Sequence, residues 1–200
     1  MKLDTIELFL LGDEDGIEAI SFVREPAIEE NWIALSKQEV SFKSIDEDKK
    51  IVVGIALLPD KEIYRRKGDY EYNVIFTKET VKNASHLYLK KLNNNNATLE
   101  HEQSTSGVSV VESWIVEDVN NDKSNIYNLK APEGSWCVVM KVDNDEVWKD
   151  VKEGKYLGFS IEGVFSDRKI EASKDILALN EDDLTDEQCV EILELIKNQL

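Results

Sequence analysis

The chain has 200 residues, 42% of them hydrophobic, and carries 41 acidic against 24 basic side chains, for a formal net charge of −17. This length and composition suit one domain with a packed core and exclude a wholly disordered protein. The strong negative charge disfavours binding to nucleic acid or to an anionic membrane surface, so neither is expected as a partner.

No apolar run approaches the roughly 20 residues that cross a bilayer. The opening, MKLDTIELF, is acidic where a secretory signal is basic and then apolar, so we expect a cytoplasm-like compartment. The two cysteines, Cys137 and Cys189, have apolar neighbours and no ligand spacing. They are expected to be reduced packing residues, with a disulfide or a catalytic role as the alternative. No metal or other cofactor is expected, and the Asp143-x-Asp145 pair is interpreted as a helix-capping turn.

Three segments are predicted along the chain. Residues 1–45 contain strand patterns at 3–11 and 17–23 and are expected to pack on, or precede, the main domain. A charged run places a boundary near residue 45, and residues 46–170 form the main domain. Residues 171–200 are predicted to be an acidic linker followed by an amphipathic helix, which begins at the capping box Thr185-Asp186-Glu187-Gln188.

Strand patterns open the main domain. Residues 51–58 form a continuous apolar run with a β-branched start, which favours a strand buried on both faces. Residues 63–66 and 70–76 flank a Lys67-Gly68-Asp69 turn and predict a hairpin. Thr77 then has the character of an N-cap, and Val81, Ala84 and Tyr88 follow at helical spacing.

The chain has two histidines as candidates for catalysis, one on this helix and one after it. His86 lies on the helix but off its apolar stripe, and it is expected to be a solvated surface residue. Residues 97–102 and 108–117 are strand-like and are separated by a polar loop, which predicts a hairpin whose first arm carries His101. A further strand is predicted at 134–142, and a short helix at 146–152.

The second candidate lies in the run Gly154–Phe165, GKYLGFSIEGVF, where Ser160 stands between Gly158 and Gly163 in a strand-like pattern. A serine is a poor nucleophile at neutral pH unless a base, usually histidine, takes its proton. His101 is the histidine left for that role. A strand histidine is more often structural, however, and the run lacks the G-x-S-x-G elbow of α/β-hydrolases. The residues alone therefore leave open whether Ser160 and His101 pack or catalyse.

Several segments, taken together and in order, resemble the prohead proteases of bacteriophages, serine proteases of capsid maturation, in their XkdF-like branch. The matching segments are ISFV with EPAIE (20–29), VGIALLPD with IYR (53–65), LEHE (99–102), VVESWIVED (110–118), GSW (134–136), KVDND (141–145) and GFSIEG (158–163). The resemblance covers about residues 3–167. It implies an α+β fold, a mostly antiparallel β-barrel of about seven strands flanked by helices and similar to the herpesvirus assemblins, to which this chain adds its C-terminal helix.

The resemblance also implies site roles, with Ser160 as nucleophile and His101 as general base. Assemblin-like enzymes place a second histidine after the serine, whereas no histidine follows His101 here, so the orienting acid must be a carboxylate. Glu112 is the first choice, because the predicted hairpin pairs its strand with the arm of His101. Glu102 and Glu162 are the alternatives, because a single register step decides which side chain faces the histidine.

A prohead protease is expected to cleave the scaffolding protein, the propeptide of the major capsid protein and its own chain, in the host cytoplasm inside the assembling prohead. The C-terminal helix would serve self-association or docking. Two other functions stay open: a catalytically silent capsid-assembly or scaffold component with the same fold, and a binding module in which Ser160 and His101 merely pack.

Overall fold

The computed structural model describes residues 3–12, 14–24, 33–34 and 49–170, the pair 33–34 by its backbone alone. Within these residues there are twelve strands and two α-helices. The strands are β1 (Asp4–Phe9), β2 (Gly16–Val23), β3 (Ile33–Ala34), β4 (Ile51–Leu57), β5 (Ile63–Lys67), β6 (Tyr70–Phe76), β7 (Ala97–Leu99), β8 (Gln103–Thr105), β9 (Val108–Ile115), β10 (Trp136–Val142), β11 (Gly158–Val164) and β12 (Ser166–Ile170). The helices are α1 (Lys78–Lys90) and α2 (Asp145–Lys152).

The strands form three four-stranded sheets, with the orders β12-β1-β6-β5, β3-β4-β10-β9 and β11-β2-β7-β8. The pairs β1–β6 and β2–β7 are parallel, whereas β4–β10, β9–β10 and β2–β11 are antiparallel. The N-terminal strands β1 and β2 thus supply interior strands of two sheets, and β2 lies directly beside the strand of Ser160.

The predicted antiparallel barrel is wrong. The sheets are open and of mixed direction, and no closed barrel occurs in the part of the chain that the structure describes. An alternating or apolar pattern identifies a strand but does not identify its neighbour. In the β1–β6 pair, for example, Asp4 lies opposite Tyr72, far along the chain. The predicted C-terminal helix lies outside the described residues.

The core consists of two apolar clusters, one on each face of the β4–β10 pair. Val52 and Met140 lie opposite each other and belong to the larger cluster, while the neighbouring pair Val53 and Val139 belongs to the smaller one. This burial on both faces is what the apolar run 51–58 predicted. The larger cluster also holds residues of β2, α1 and β11, including Ile20, Phe22, Val81, Tyr88 and Phe159.

Helix α1 begins as predicted. The Thr77 hydroxyl accepts a hydrogen bond from the Thr80 backbone N–H at 3.2 Å, which caps the helix N-terminus. Val81, Ala84 and Tyr88 are buried, and His86 is exposed. The helix therefore packs through its apolar stripe and leaves His86 in solvent.

Cys137 is a buried free thiol in the smaller cluster. Burial, assisted by the nearby charge of Asp122, raises the pKa of this thiol to about 12. The side chain is therefore a neutral packing group at physiological pH. Cys189 lies outside the described residues. Among the helices that the structure describes, none is long and apolar enough to span a bilayer.

Candidate active site

Ser160 lies in a row of hydroxyl side chains across the sheet β11-β2-β7-β8. It is opposite Ser21 in the antiparallel β11–β2 pair, and Ser21 is in turn opposite Thr98 in the parallel β2–β7 pair. Residues opposite each other across neighbouring strands share a face of the sheet. Glu162, two residues after Ser160 on β11, shares that face as well. Ser104 continues the row on β8, opposite Thr98, so one face of this sheet presents four hydroxyls and a carboxylate.

The apolar core fixes which residues occupy this face. The alternate residues Phe22 and Phe159 point into the larger cluster, where their rings meet edge to face with centroids 5.4 Å apart. A register slip of one residue would exchange the two faces, at the cost of exposing these rings. Packing of Phe22 and Phe159 thus places Ser21 and Ser160 on the opposite face.

Gly163 closes the GFSIEG motif at a β-bulge. The β11–β2 register shifts between Glu162 and Gly163, and a Cβ added at Gly163 would lie 2.1 Å from the carbonyl oxygen of Gly16. No side chain fits in such a close approach of two strands. The bulge lies directly after Glu162, and bulges of this kind re-aim the side chains beside them.

His101 lies in a tight turn between β7 and β8, and the prediction that it sits on a strand is wrong. Glu100 and His101 are consecutive non-glycine residues in the left-handed region, with φ of 54° and 61°. Such conformations cost of order 1–3 kcal/mol each and persist only when the surroundings hold them.

Three backbone N–H groups of this turn donate hydrogen bonds, and the Glu100 carboxylate accepts one from the Arg24 N–H at 2.9 Å. The Glu100 N–H donates to the Phe22 carbonyl, the His101 N–H to the Ser21 hydroxyl oxygen and the Glu102 N–H to the Leu99 carbonyl, each at 3.0 Å. Two of the three acceptors belong to β2. The strand beside Ser160 therefore also fixes the backbone of the histidine turn.

The imidazole of His101 contacts Glu162. Its Nδ1 lies 3.0 Å from Glu162 Oε1, and the Thr98 hydroxyl donates to the same oxygen. A carboxylate oxygen is an acceptor, so this hydrogen bond assigns the proton to Nδ1. In the neutral ring Nε2 is then left as an unprotonated nitrogen, the form that a general base requires.

The structure brings Glu162, and not Glu112, to His101. Glu112 lies on β9 in a different sheet, opposite Val139, and pairs with Lys123. The predicted hairpin of 97–102 with 108–117 is wrong, because β7 pairs with β2 and β8 while β9 pairs with β10. The Glu102 carboxylate is exposed and makes no hydrogen bond or ion pair among the described residues.

Ser160 is half-buried, and within the described part of the chain no hydrogen bond joins its Oγ to His101. Ser21 separates the two in the fold, since it lies opposite Ser160 and binds the backbone of His101. The sequence offered a signal for Ser21, a single hydroxyl in the otherwise apolar run AISFV. The role of Thr98 had no such signal, because it depends on the parallel pairing.

A cavity of about 150 Å³ borders Ser160. Apart from Ser160, Gly163 and Arg65, its lining is apolar: Leu8, Ala56, Leu57, Ile63, Phe76, Phe159, Ile161 and Phe165. Ala56, Leu57, Ile63, Phe76 and Phe159 belong to the larger cluster, so the cavity lies on the core face of β11, whereas the Ser160 side chain lies on the opposite face. In the described residues no group of three or more histidine, cysteine or acidic side chains could hold a metal ion.

Comparison with known proteins gives one family and one curated relative. Residues 38–169 match the family model described as "Putative phage serine protease XkdF". The protein "Phage-like element PBSX protein XkdF" of Bacillus subtilis (strain 168) is 31% identical over 121 residues, which are 60% of this chain and 39% of that protein. The match therefore spans about two fifths of the length of the relative. No solved structure gives a significant match.

Proposed function

The chain belongs to the family described as the putative phage serine protease XkdF, and we propose that it is a serine endopeptidase with Ser160 as nucleophile and His101 as general base. The observation that carries this proposal is the contact between His101 Nδ1 and Glu162 Oε1. A histidine oriented by a carboxylate on one nitrogen, and open on the other, is the arrangement that activates a serine in hydrolases.

In the proposed mechanism Ser160 Oγ attacks the carbonyl carbon of the scissile peptide bond while His101 Nε2 takes its proton. Glu162 holds the ring and stabilises the imidazolium that forms. The imidazolium then gives the proton to the leaving amine as the C–N bond breaks, which leaves the acyl-enzyme. Water, which loses a proton to His101, attacks the ester carbonyl, and the proton returns to Ser160 Oγ as the acid product leaves. The mechanism requires a hydrogen bond between Ser160 Oγ and His101 Nε2 in the substrate complex. Catalytic hydrogen bonds are often long in a free enzyme and shorten when substrate binds.

The oxyanion that forms in this reaction needs N–H donors. Those of Glu100, His101 and Glu102 already bind Phe22, Ser21 and Leu99. We therefore place the donors outside the histidine turn.

By kinship, we propose the scaffolding protein and the propeptide of the major capsid protein as substrates, cleaved in the host cytoplasm inside the assembling prohead.

The test is co-expression of the chain with the major capsid protein of the same phage. Ser160→Ala and His101→Ala should each abolish processing, whereas the matched variants Ser106→Ala and His86→Ala, at exposed positions outside the site, should leave it intact. Normal processing by Ser160→Ala would overturn the proposal and would favour the catalytically silent assembly protein.

A further inference from the structure

We infer that Ser21 is a positioning residue, whose buried hydroxyl holds the turn of His101 in register with Ser160. Its effect on catalysis rests on the proposed function, while the contact itself does not. Ser21 would act without touching the substrate, through the backbone of the general base.

The first observation is burial. Ser21 is fully buried, and its hydroxyl accepts the His101 N–H at 3.0 Å. A buried hydroxyl carries a desolvation cost unless it is hydrogen-bonded, so an apolar strand such as AISFV would favour a small apolar residue at this position. The bond to His101 is the contact that offsets that cost.

The second observation is the conformation that this bond holds. Glu100 and His101 both have positive φ, which a non-glycine residue leaves unless its surroundings prevent it. Two of the three N–H groups of the turn bind the backbone carbonyls of Phe22 and Leu99. Any residue type at those two positions would supply the same acceptor. The His101 N–H alone binds a side chain. Ser21 is therefore the side chain that binds an N–H of this turn, while the Glu100 carboxylate ties the turn to the Arg24 N–H.

The third observation is the place of Ser21 in the sheet. It lies opposite Ser160 on one side and Thr98 on the other, and Thr98 donates to the carboxylate that binds the His101 ring. Ser21 thus lies between the strand of Ser160 and the strand that leads into the His101 turn. Loss of its bond would release the turn and move the imidazole relative to Ser160, and displacements near 1 Å can lower a rate about 100-fold.

A purely structural role would give a different result from a positioning role. If Ser21 only stabilised the fold, Ser21→Ala would lower the melting temperature, but the folded protein would react normally. If it positions His101, the folded variant reacts slowly. Kinetics measured well below the melting temperature of each variant separate the two.

The reaction to measure is inactivation by a fluorophosphonate, resolved into its maximal rate and its half-saturating concentration. Ser21→Ala should lower the maximal rate at least about tenfold and change the half-saturating concentration less than about twofold. Ser21→Thr, which keeps the hydroxyl, should react faster than Ser21→Ala. Ser106→Ala, at an exposed serine in the loop after β8, should match the wild type.

NMR of the two histidines gives a readout that is independent of activity. The chain contains only His86 and His101, so the imidazole Cε1–H spectrum has two signals and His86 is an internal control. Ser21→Ala should shift the His101 signal and speed exchange of its backbone amide at least about tenfold, with His86 unchanged. Unchanged His101 signals and exchange in folded Ser21→Ala would overturn the inference. A wild type that does not react with the fluorophosphonate would instead overturn the proposed function, and the NMR comparison would still decide the role of Ser21.

Discussion

His101 Nδ1 lies 3.0 Å from Glu162 Oε1, although the two residues are 61 positions apart in the sequence. His101 follows β7, Glu162 lies on β11, and both strands flank β2 in the same sheet. Strand β2 thus sets the separation between the histidine and the carboxylate. Since β2 comes from the first 24 residues of the chain, the N-terminal segment is part of the candidate active site.

Glu162→Gln should lower the rate of fluorophosphonate inactivation by about 10²–10⁴-fold, because the amide removes the charge that holds Nδ1–H and stabilises the imidazolium. The matched variant is Glu112→Gln, which removes the first-choice carboxylate of the sequence prediction and should leave the rate unchanged, since Glu112 pairs with Lys123 in another sheet. The reverse pattern, a slow Glu112→Gln and a normal Glu162→Gln, would contradict the assignment.

Gly163→Ala should destabilise the protein by about 2–4 kcal/mol, because the new Cβ forces two strands apart. That atom would lie 2.1 Å from the Gly16 carbonyl oxygen. Gly12→Ala is the control, since a Cβ there meets nothing within 4 Å. Urea denaturation measures both. Equal stability of the two variants would show that β11 and β2 do not approach each other in this way.

Tyr88→Phe should be neutral or stabilise the protein by up to about 1 kcal/mol, because removing a buried hydroxyl without a partner removes a desolvation cost. Among the described residues, Tyr88 has the one buried side-chain oxygen or nitrogen without a hydrogen-bond partner, and this burial raises the pKa of the phenol. Its ring packs edge to face on Trp136, which phenylalanine retains.

The control for this change is Tyr70→Phe, whose hydroxyl donates to Asp4 at 2.9 Å and which should not gain stability. Melting temperatures compare the two variants. A clear loss of stability in Tyr88→Phe would show that the hydroxyl has a partner in solution.

The free energy of unfolding should fall in acid, in part because the Asp15 carboxylate becomes protonated. Its carboxylate accepts hydrogen bonds from the Leu11 N–H at 2.7 Å and the Ser166 hydroxyl at 3.0 Å. The Leu11 bond first, and the Ser166 bond with it, lower the pKa of Asp15 below its usual value. The folded pKa lies below the unfolded one, so the contribution is present above the unfolded pKa, near 4, and is lost as pH falls through the folded pKa.

Asp15→Asn should therefore be less stable than the wild type near pH 7, and the two should converge as the pH falls through the folded pKa of Asp15. Urea titrations between neutral and acidic pH measure this difference. Asp69→Asn, at a fully exposed turn position, is the control and should run parallel to the wild type. A constant gap between wild type and Asp15→Asn at every pH would contradict the linkage.

Local patterns predicted local structure. The run 51–58 became the buried strand β4, and the Thr77 cap and apolar stripe became α1, because each depends on residues close together in the sequence. Ser160 was also correctly placed on a strand beside glycines. These features needed no knowledge of which strands pair.

Pairing is what the sequence did not predict. The predicted hairpin between the segments of His101 and Glu112 does not form. Strand β9 pairs instead with β10, whose side chains are buried in the two core clusters. The site instead depends on the parallel β2–β7 pair and on a turn with two left-handed residues. The strand pair has no local signal, because its two strands are far apart in the sequence. The turn has none, because left-handed residues are usually glycines and Glu100-His101 contains none.

The most direct test of the central claim is labelling of the whole chain with a fluorophosphonate, followed by proteolysis and mass spectrometry of the adduct. We predict one adduct, on Ser160, which is lost in His101→Ala and kept in His86→Ala. No adduct on the wild type, or an adduct on a different serine, would contradict the assignment of Ser160 as the nucleophile.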